Sequence, residues 1–128
     1  MKKILVLHTG GTISMHEDED GDVETGIENP LTGAQVTLPD VDLTVENIFN
    51  LPSEHIGPIH MLQLQQGILK AEGAFDGVVI THGTDTLGET SCFLDSTLDV
   101  SMPIVMTGAM RSSNELGSDG LYNYQSAL

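Results

Sequence analysis

The sequence has 128 residues, with 4 basic against 19 acidic side chains and a formal charge of -15. So much negative charge repels nucleic-acid phosphates and anionic lipid surfaces, which argues against both as direct partners. An apolar content of 39% is that of an ordinary globular domain, and a single cysteine, Cys92, leaves no intrachain disulfide or cysteine-based zinc cluster to be made and favours the cytoplasm.

In chain order, Met1-Lys2-Lys3 imitates the charged start of a signal peptide, but the apolar run that follows stops at His8, so no secretory or membrane-spanning segment is expected. Residues 4–7 read as a buried strand, ending in the turn His8-Thr9-Gly10-Gly11-Thr12. Residues 15–33 lack periodicity and hold Glu17, Asp18, Glu19, Asp20, Asp22, Glu24 and Glu28, which predicts a mobile, solvated loop. Residues 41–49 read as a half-buried or edge strand leading into Leu51-Pro52-Ser53-Glu54-His55, and residues 58–72 as a helix with Met61, Leu64 and Ile68 at helical spacing.

A second buried strand at 78–80 ends in Thr81-His82-Gly83-Thr84-Asp85-Thr86, and a helix is predicted over 87–98, opened by a Thr86 to Glu89 capping box and enclosing Cys92 as a small buried thiol. A third strand at 104–106 ends in Thr107-Gly108-Ala109-Met110-Arg111, where Arg111 is expected to pair with local acids. The last helix, capped at Ser118, runs to Leu128 without a stop signal, so the chain is expected to be interrupted in mid-helix.

Strands alternating with helices predict an α/β fold, three-layer and doubly wound, with a mostly parallel sheet and flanking helices. Parallel strands put their C-terminal ends along one edge, where open α/β sheets bind ligands, so the three hydroxyl- and glycine-rich turns should converge. A hydroxyl in such a turn has three available roles: to donate to a ligand, to act as a nucleophile, or to satisfy the turn's own backbone. Two glycines before Thr12 let backbone N–H groups approach a bound group, as an oxyanion requires, and Thr84-Asp85 supplies parts of a proton relay or an anchor for an ammonium group.

The stretches HTGGTIS and VVITHGTDTLGET resemble the two signature motifs of bacterial-type L-asparaginases, in the right order and at suitable separation, and PIVMTGAMRSSNELGSDGLYN is similar to that family's third block. The resemblance runs through essentially all 128 residues. It implies that residues 1–128 form the family's N-terminal α/β domain, incomplete, with the C-terminal domain absent from this chain. Thr12 matches the acylated nucleophile, Thr84 and Asp85 the second threonine and aspartate, and Ser53 the serine that holds the substrate's α-carboxylate. Glu54, Gly11, Gly83 and Ala109 match further substrate-contacting positions, Ala109 through its backbone carbonyl. The implied substrate is L-asparagine, with L-glutamine as a minor one. The same resemblance implies no cofactor and a homo-oligomer that shares its sites between subunits.

The family also uses a lysine to activate its nucleophile, and here Lys2, Lys3 and Lys70 do not match it, so the 128-residue chain alone is expected to be inactive. The lid tyrosine that many relatives carry after TGGTIS is missing too, since the first tyrosine is Tyr122. Residues 16–27 imitate a calcium-binding loop but lack its oxygen ligands at the first and twelfth positions, His16 and Ile27. His8 and His82 are expected to bond to backbone carbonyls rather than hold a metal. The alternatives are the ammonia-releasing subunit of a tRNA-dependent amidotransferase, whose usual additional N-terminal region is not seen here, and a non-catalytic anion- or nucleotide-binding module, for which no glycine-rich nucleotide motif is present.

Overall fold

The computed structural model describes residues 1–17, 20, 23–25 and 38–128. In chain order it contains β1 (Lys2–His8), β2 (Met15–Glu17), β3 (Val23–Thr25), β4 (Val41–Asn47), α1 (Pro58–Ala71), β5 (Gly77–Thr81), α2 (Leu87–Thr97), β6 (Ile104–Thr107) and α3 (Gly120–Ala127). Four strands form one sheet in the order β4-β1-β5-β6, and every pairing in it is parallel. Side chains alternate across a strand. Leu5, Leu7, Val78 and Ile80 therefore face one way and pack with Leu64, Ile68 and Ala71 of α1 and Leu94 of α2. Val6 and Val79 face the other way and pack with Ile13, Ala109 and Tyr124 of α3. The result is the expected three-layer arrangement, with β1 and β5 covered on both faces; all five residues of β5 are buried.

The helices begin and end for local reasons. Pro58 opens α1 at a position where its missing N–H costs nothing, and the free Gly57 N–H donates to His60 Nδ1 at 3.0 Å. Strand β4 lies at the edge of the sheet with Val45 40% exposed, as its alternation of apolar Val41, Leu43 and Val45 with polar residues suggested.

Four expectations are corrected. The segment 15–33 is not loop throughout: β2 and β3 pair antiparallel, Met15 opposite Thr25 and Glu17 opposite Val23. Of its acidic residues, Asp18, Glu19, Asp22 and Glu28 lie outside the described residues. Thr86 does not close a capping box, because its hydroxyl donates to the Ser53 carbonyl at 2.8 Å and α2 starts with no side-chain cap. Cys92 is exposed, since α2 buries the face carrying Thr90 and Leu94 instead. The last helix begins at Gly120 after Asp119, not at a Ser118 cap.

Leu64 is fully buried where α1 meets the sheet. Leu64→Ala is expected to lower stability by about 2–5 kcal/mol, the transfer term plus the cavity left behind, as read by urea unfolding of the full-length protein.

Candidate active site

The strand order decides where a site can form. The chain passes from β1 outward to β4 on one side, then returns to β5 on the other. Connections leaving β1 and β5 thus diverge, and open α/β sheets bind ligands at such a point, beyond the C-terminal ends of the strands. The turns at 8–12 and 81–86 follow those two strand ends.

The backbone of the first turn takes conformations that L side chains rarely adopt, with φ of 107° at Gly10 and 82° at Gly11. Each glycine also faces another backbone: a Cβ on Gly10 would collide with Leu51, and one on Gly11 with the Cα and N of Gly83. Gly83 in turn leaves no room for a Cβ against the Cβ and Oγ of Ser53. Three segments widely separated in sequence therefore meet at van der Waals distance through Gly11, Gly83 and Ser53. The third turn joins them at Gly108, where a Cβ would lie 2.7 Å from the His82 carbonyl oxygen and 3.1 Å from Thr84 Cγ2.

Hydrogen bonds hold this arrangement. The Thr9 hydroxyl and N–H both donate to the Thr81 carbonyl, at 2.8 and 3.1 Å, tying the first turn to the second. The Asp85 N–H donates to Ser53 Oγ at 3.1 Å, and the His82 N–H donates to the Thr107 carbonyl at 2.9 Å. Thr12 follows Gly11 directly, half-buried at the start of a short 3-10 turn, Thr12–Ser14. Thr84 and Asp85 are exposed, whereas Ser53 and Ala109 are buried. Glu54 is exposed in the Ser53–His55 turn. Of the predicted site residues, Gly11, Ser53, Gly83, Thr84 and Asp85 are brought together by described contacts, with Thr12 next in chain to that junction. Ala109 stands one residue beyond Gly108. Two clefts elsewhere, one between α1 and β4 and one between α2 and β6, include none of these residues.

Beneath the turns lies a polar layer that residue spacing did not reveal: His8, Thr9, Thr81, His82 and Thr90 are all fully buried. His82 Nδ1 donates to the Gly83 carbonyl at 2.7 Å, as expected, so its Nε2 accepts from the Thr90 hydroxyl at 2.9 Å. Burial lowers its pKa, opposed by the Gly83 bond. His8 differs from expectation: its Nδ1 bonds to the Thr81 hydroxyl at 2.7 Å rather than to a backbone carbonyl, and its buried Nε2 has no partner among the described residues. Its ring lies 5.6 Å from that of Tyr124. Burial lowers the His8 pKa to about 4, so the imidazole stays neutral in the folded protein. Arg111 donates to the Leu116 carbonyl at 2.8 Å, and its charge contributes to holding the Glu115 carboxyl below its ordinary pKa, after the larger effect of hydrogen bonds from Ser112.

Two outcomes are expected from these contacts. Gly11→Ala places a methyl group into Gly83 and a side chain at positive φ, and is expected to destabilise the full-length protein by about 1–3 kcal/mol or more in urea unfolding. His8 has a folded pKa of about 4 against an ordinary 6.5. Between those values the unfolded chain takes up a proton that the folded one refuses, so stability falls as pH drops through that window and this contribution levels off below it. The loss amounts to about 3 kcal/mol, and His8→Asn is expected to flatten that part of the pH profile.

Comparison with known proteins places this geometry. Residues 3–128 match the family model described as "Asparaginase, N-terminal". The chain is 41% identical over 131 residues to an L-asparaginase of Bacillus licheniformis, covering 99% of the chain and 41% of that protein. It is 34% identical over 134 residues to one of the subunits of the glutamyl-tRNA(Gln) amidotransferase of Thermoplasma acidophilum, covering 99% of the chain and 32% of that protein. The crystal structure of a probable cytoplasmic L-asparaginase from Campylobacter jejuni superimposes with a TM-score of 0.88 at 34% identity, over 99% of the chain and 41% of that structure. The chain thus spans less than half the length of each of these relatives. The chain, whose two glycine-rich threonine turns meet at Gly11 and Gly83, belongs to the asparaginase family.

Proposed function

We propose that the full-length protein carrying this chain hydrolyses the side-chain amide of L-asparagine to L-aspartate and ammonia, through an acyl-enzyme on Thr12. The observation that carries the reading is the backbone contact between Gly11 and Gly83, which brings the turn bearing Thr12 against the turn bearing Thr84 and Asp85. The Thr12 hydroxyl attacks the amide carbon, backbone N–H groups near Gly11 and Thr12 stabilise the oxyanion, and the C–N bond breaks as the nitrogen is protonated and leaves as ammonia. Water then attacks the ester on Thr12 and releases aspartate.

The amino-acid end of the substrate binds beside that centre. Ser53 Oγ accepts the Asp85 N–H, so its own hydroxyl proton remains to donate to an α-carboxylate. The Asp85 carboxylate takes the α-ammonium group, Thr84 relays the proton, and Glu54 borders the pocket. Glutamine is a weaker substrate, because one methylene is discriminated only modestly by shape. The chemistry requires no cofactor.

The three lysines of this chain stand away from the turn that carries Thr12. Lys2 and Lys3 open β1 at the far edge of the sheet, and Lys70 lies in the last turn of α1. We assign the base to a lysine in the remainder of the full-length chain, so the 128 residues alone are inactive. The working protein is a cytoplasmic homo-oligomer, its sites completed across subunits.

A second reading, the ammonia-releasing subunit of a tRNA-dependent amidotransferase, is favoured only by the likeness to the Thermoplasma protein. It uses the same amide chemistry on glutamine and is distinguished by glutamine hydrolysis that depends on charged tRNA.

The full-length protein is expected to release ammonia from asparagine without tRNA, and Thr12→Val to lower kcat by about a thousandfold or more. Wild-type activity in Thr12→Val would overturn the assignment of the nucleophile.

A further inference from the structure

Asp119 stands where a helix N-cap belongs, immediately before Gly120 of α3, yet it makes no side-chain cap. Its carboxylate turns instead to the loop after β6. The Met110 N–H donates to its two oxygens at 3.2 and 3.1 Å, and the Arg111 N–H donates to Oδ1 at 3.1 Å. One turn further along α3, Asn123 uses both amide protons: one goes to the Gly108 carbonyl at 2.8 Å, the other to Asp119 Oδ2 at 3.2 Å. These bonds hold the Asp119 carboxyl below its ordinary pKa, the Met110 N–H contributing most.

Both peptide groups that flank Ala109 are therefore gripped from α3. Asn123 holds the carbonyl of the Gly108–Ala109 peptide, and Asp119 holds the N–H of the Ala109–Met110 peptide. A trans peptide is planar, with its N–H and C=O pointing in opposite directions. Because the Met110 N–H is aimed at Asp119, the Ala109 carbonyl is aimed away from it. Gly108 packs against Thr84 Cγ2 and the His82 carbonyl, and Gly120 packs against Ile13, the residue after Thr12. The gripped loop and the helix that grips it are thus both seated on the candidate site.

We propose that Asp119 and Asn123 are positioning residues that fix the direction of the Ala109 carbonyl as an acceptor for the substrate's amide N–H, and so favour amides over acyl substrates lacking one. This rests on the amidohydrolase reading above. A carbonyl oxygen can only accept, so it bonds a carboxamide nitrogen and offers nothing to an ester oxygen. A carboxylate on the same peptide's N–H also makes that carbonyl a stronger acceptor, since linked hydrogen bonds polarise one another.

The test compares two substrates of the full-length protein, L-asparagine and L-aspartate β-methyl ester, which differ at the group that meets Ala109. Asp119→Ala is expected to lower kcat/KM for asparagine by about thirtyfold while lowering that for the ester by less than about threefold. Asp119→Asn keeps one acceptor oxygen without the charge, so it tolerates folding better; a loss of about tenfold on asparagine is expected, with the ester again spared. Equal losses on the two substrates, or no loss on either, would overturn this inference while leaving the amidohydrolase reading in place. A wild-type protein that hydrolyses neither substrate overturns both.

Discussion

Backbone meets backbone at Gly11 and Gly83, and the rest of the candidate site is arranged around that approach. Neither position admits a Cβ, and Gly11 additionally adopts a φ of 82°. Close approach of main chains is what glycine allows and other residues prevent. Under the proposed reaction the consequence is chemical as well as steric, because a turn without Cβ atoms leaves its N–H groups unobstructed for an oxyanion. Ser53 then packs against Gly83, and Gly108 packs against His82 and Thr84, so each loop is located by its neighbour rather than by its own conformation.

Such loops need a rigid floor, which the buried polar layer supplies. Thr9 grips the Thr81 carbonyl twice, and the His82 ring spans from the Gly83 carbonyl to Thr90 on α2. In a low-dielectric interior, satisfied hydrogen bonds are strong and unsatisfied ones are costly, so a layer of this kind favours one arrangement over near alternatives. His8 Nε2, unpaired among the described residues, belongs to a ring that sits against Tyr124, and the neutral state of that ring makes the layer sensitive to acid.

The third loop is controlled from a distance by α3. An aspartate in the N-cap position ordinarily satisfies its own helix. Here Asp119 leaves that role and braces residues 110–111, with Asn123 bracing Gly108. Helix α3 therefore has two uses: Tyr124 closes the second face of the sheet, while its first turn orients the backbone around Ala109.

Much of this was legible in the chain itself. Short β-branched runs ending in glycine and threonine specify buried parallel strands and their turns, because both the period of apolar residues and the conformational demands of a turn are local properties. Thus β1, β5, β6, α1 and α2 lie where the pattern puts them, and the motifs around Thr12 and Thr84 identify the family. The partners of individual side chains were decided only by the tertiary structure. Thr86 fits a capping box by spacing but finds the Ser53 carbonyl nearer, Cys92 sits among apolar neighbours in sequence yet on the exposed face of α2, and Asp119 is drawn off its helix by two N–H groups nearly ten residues earlier. A hydrogen bond goes to whichever group three-dimensional packing brings within about 3 Å, and linear spacing carries no record of which group that will be.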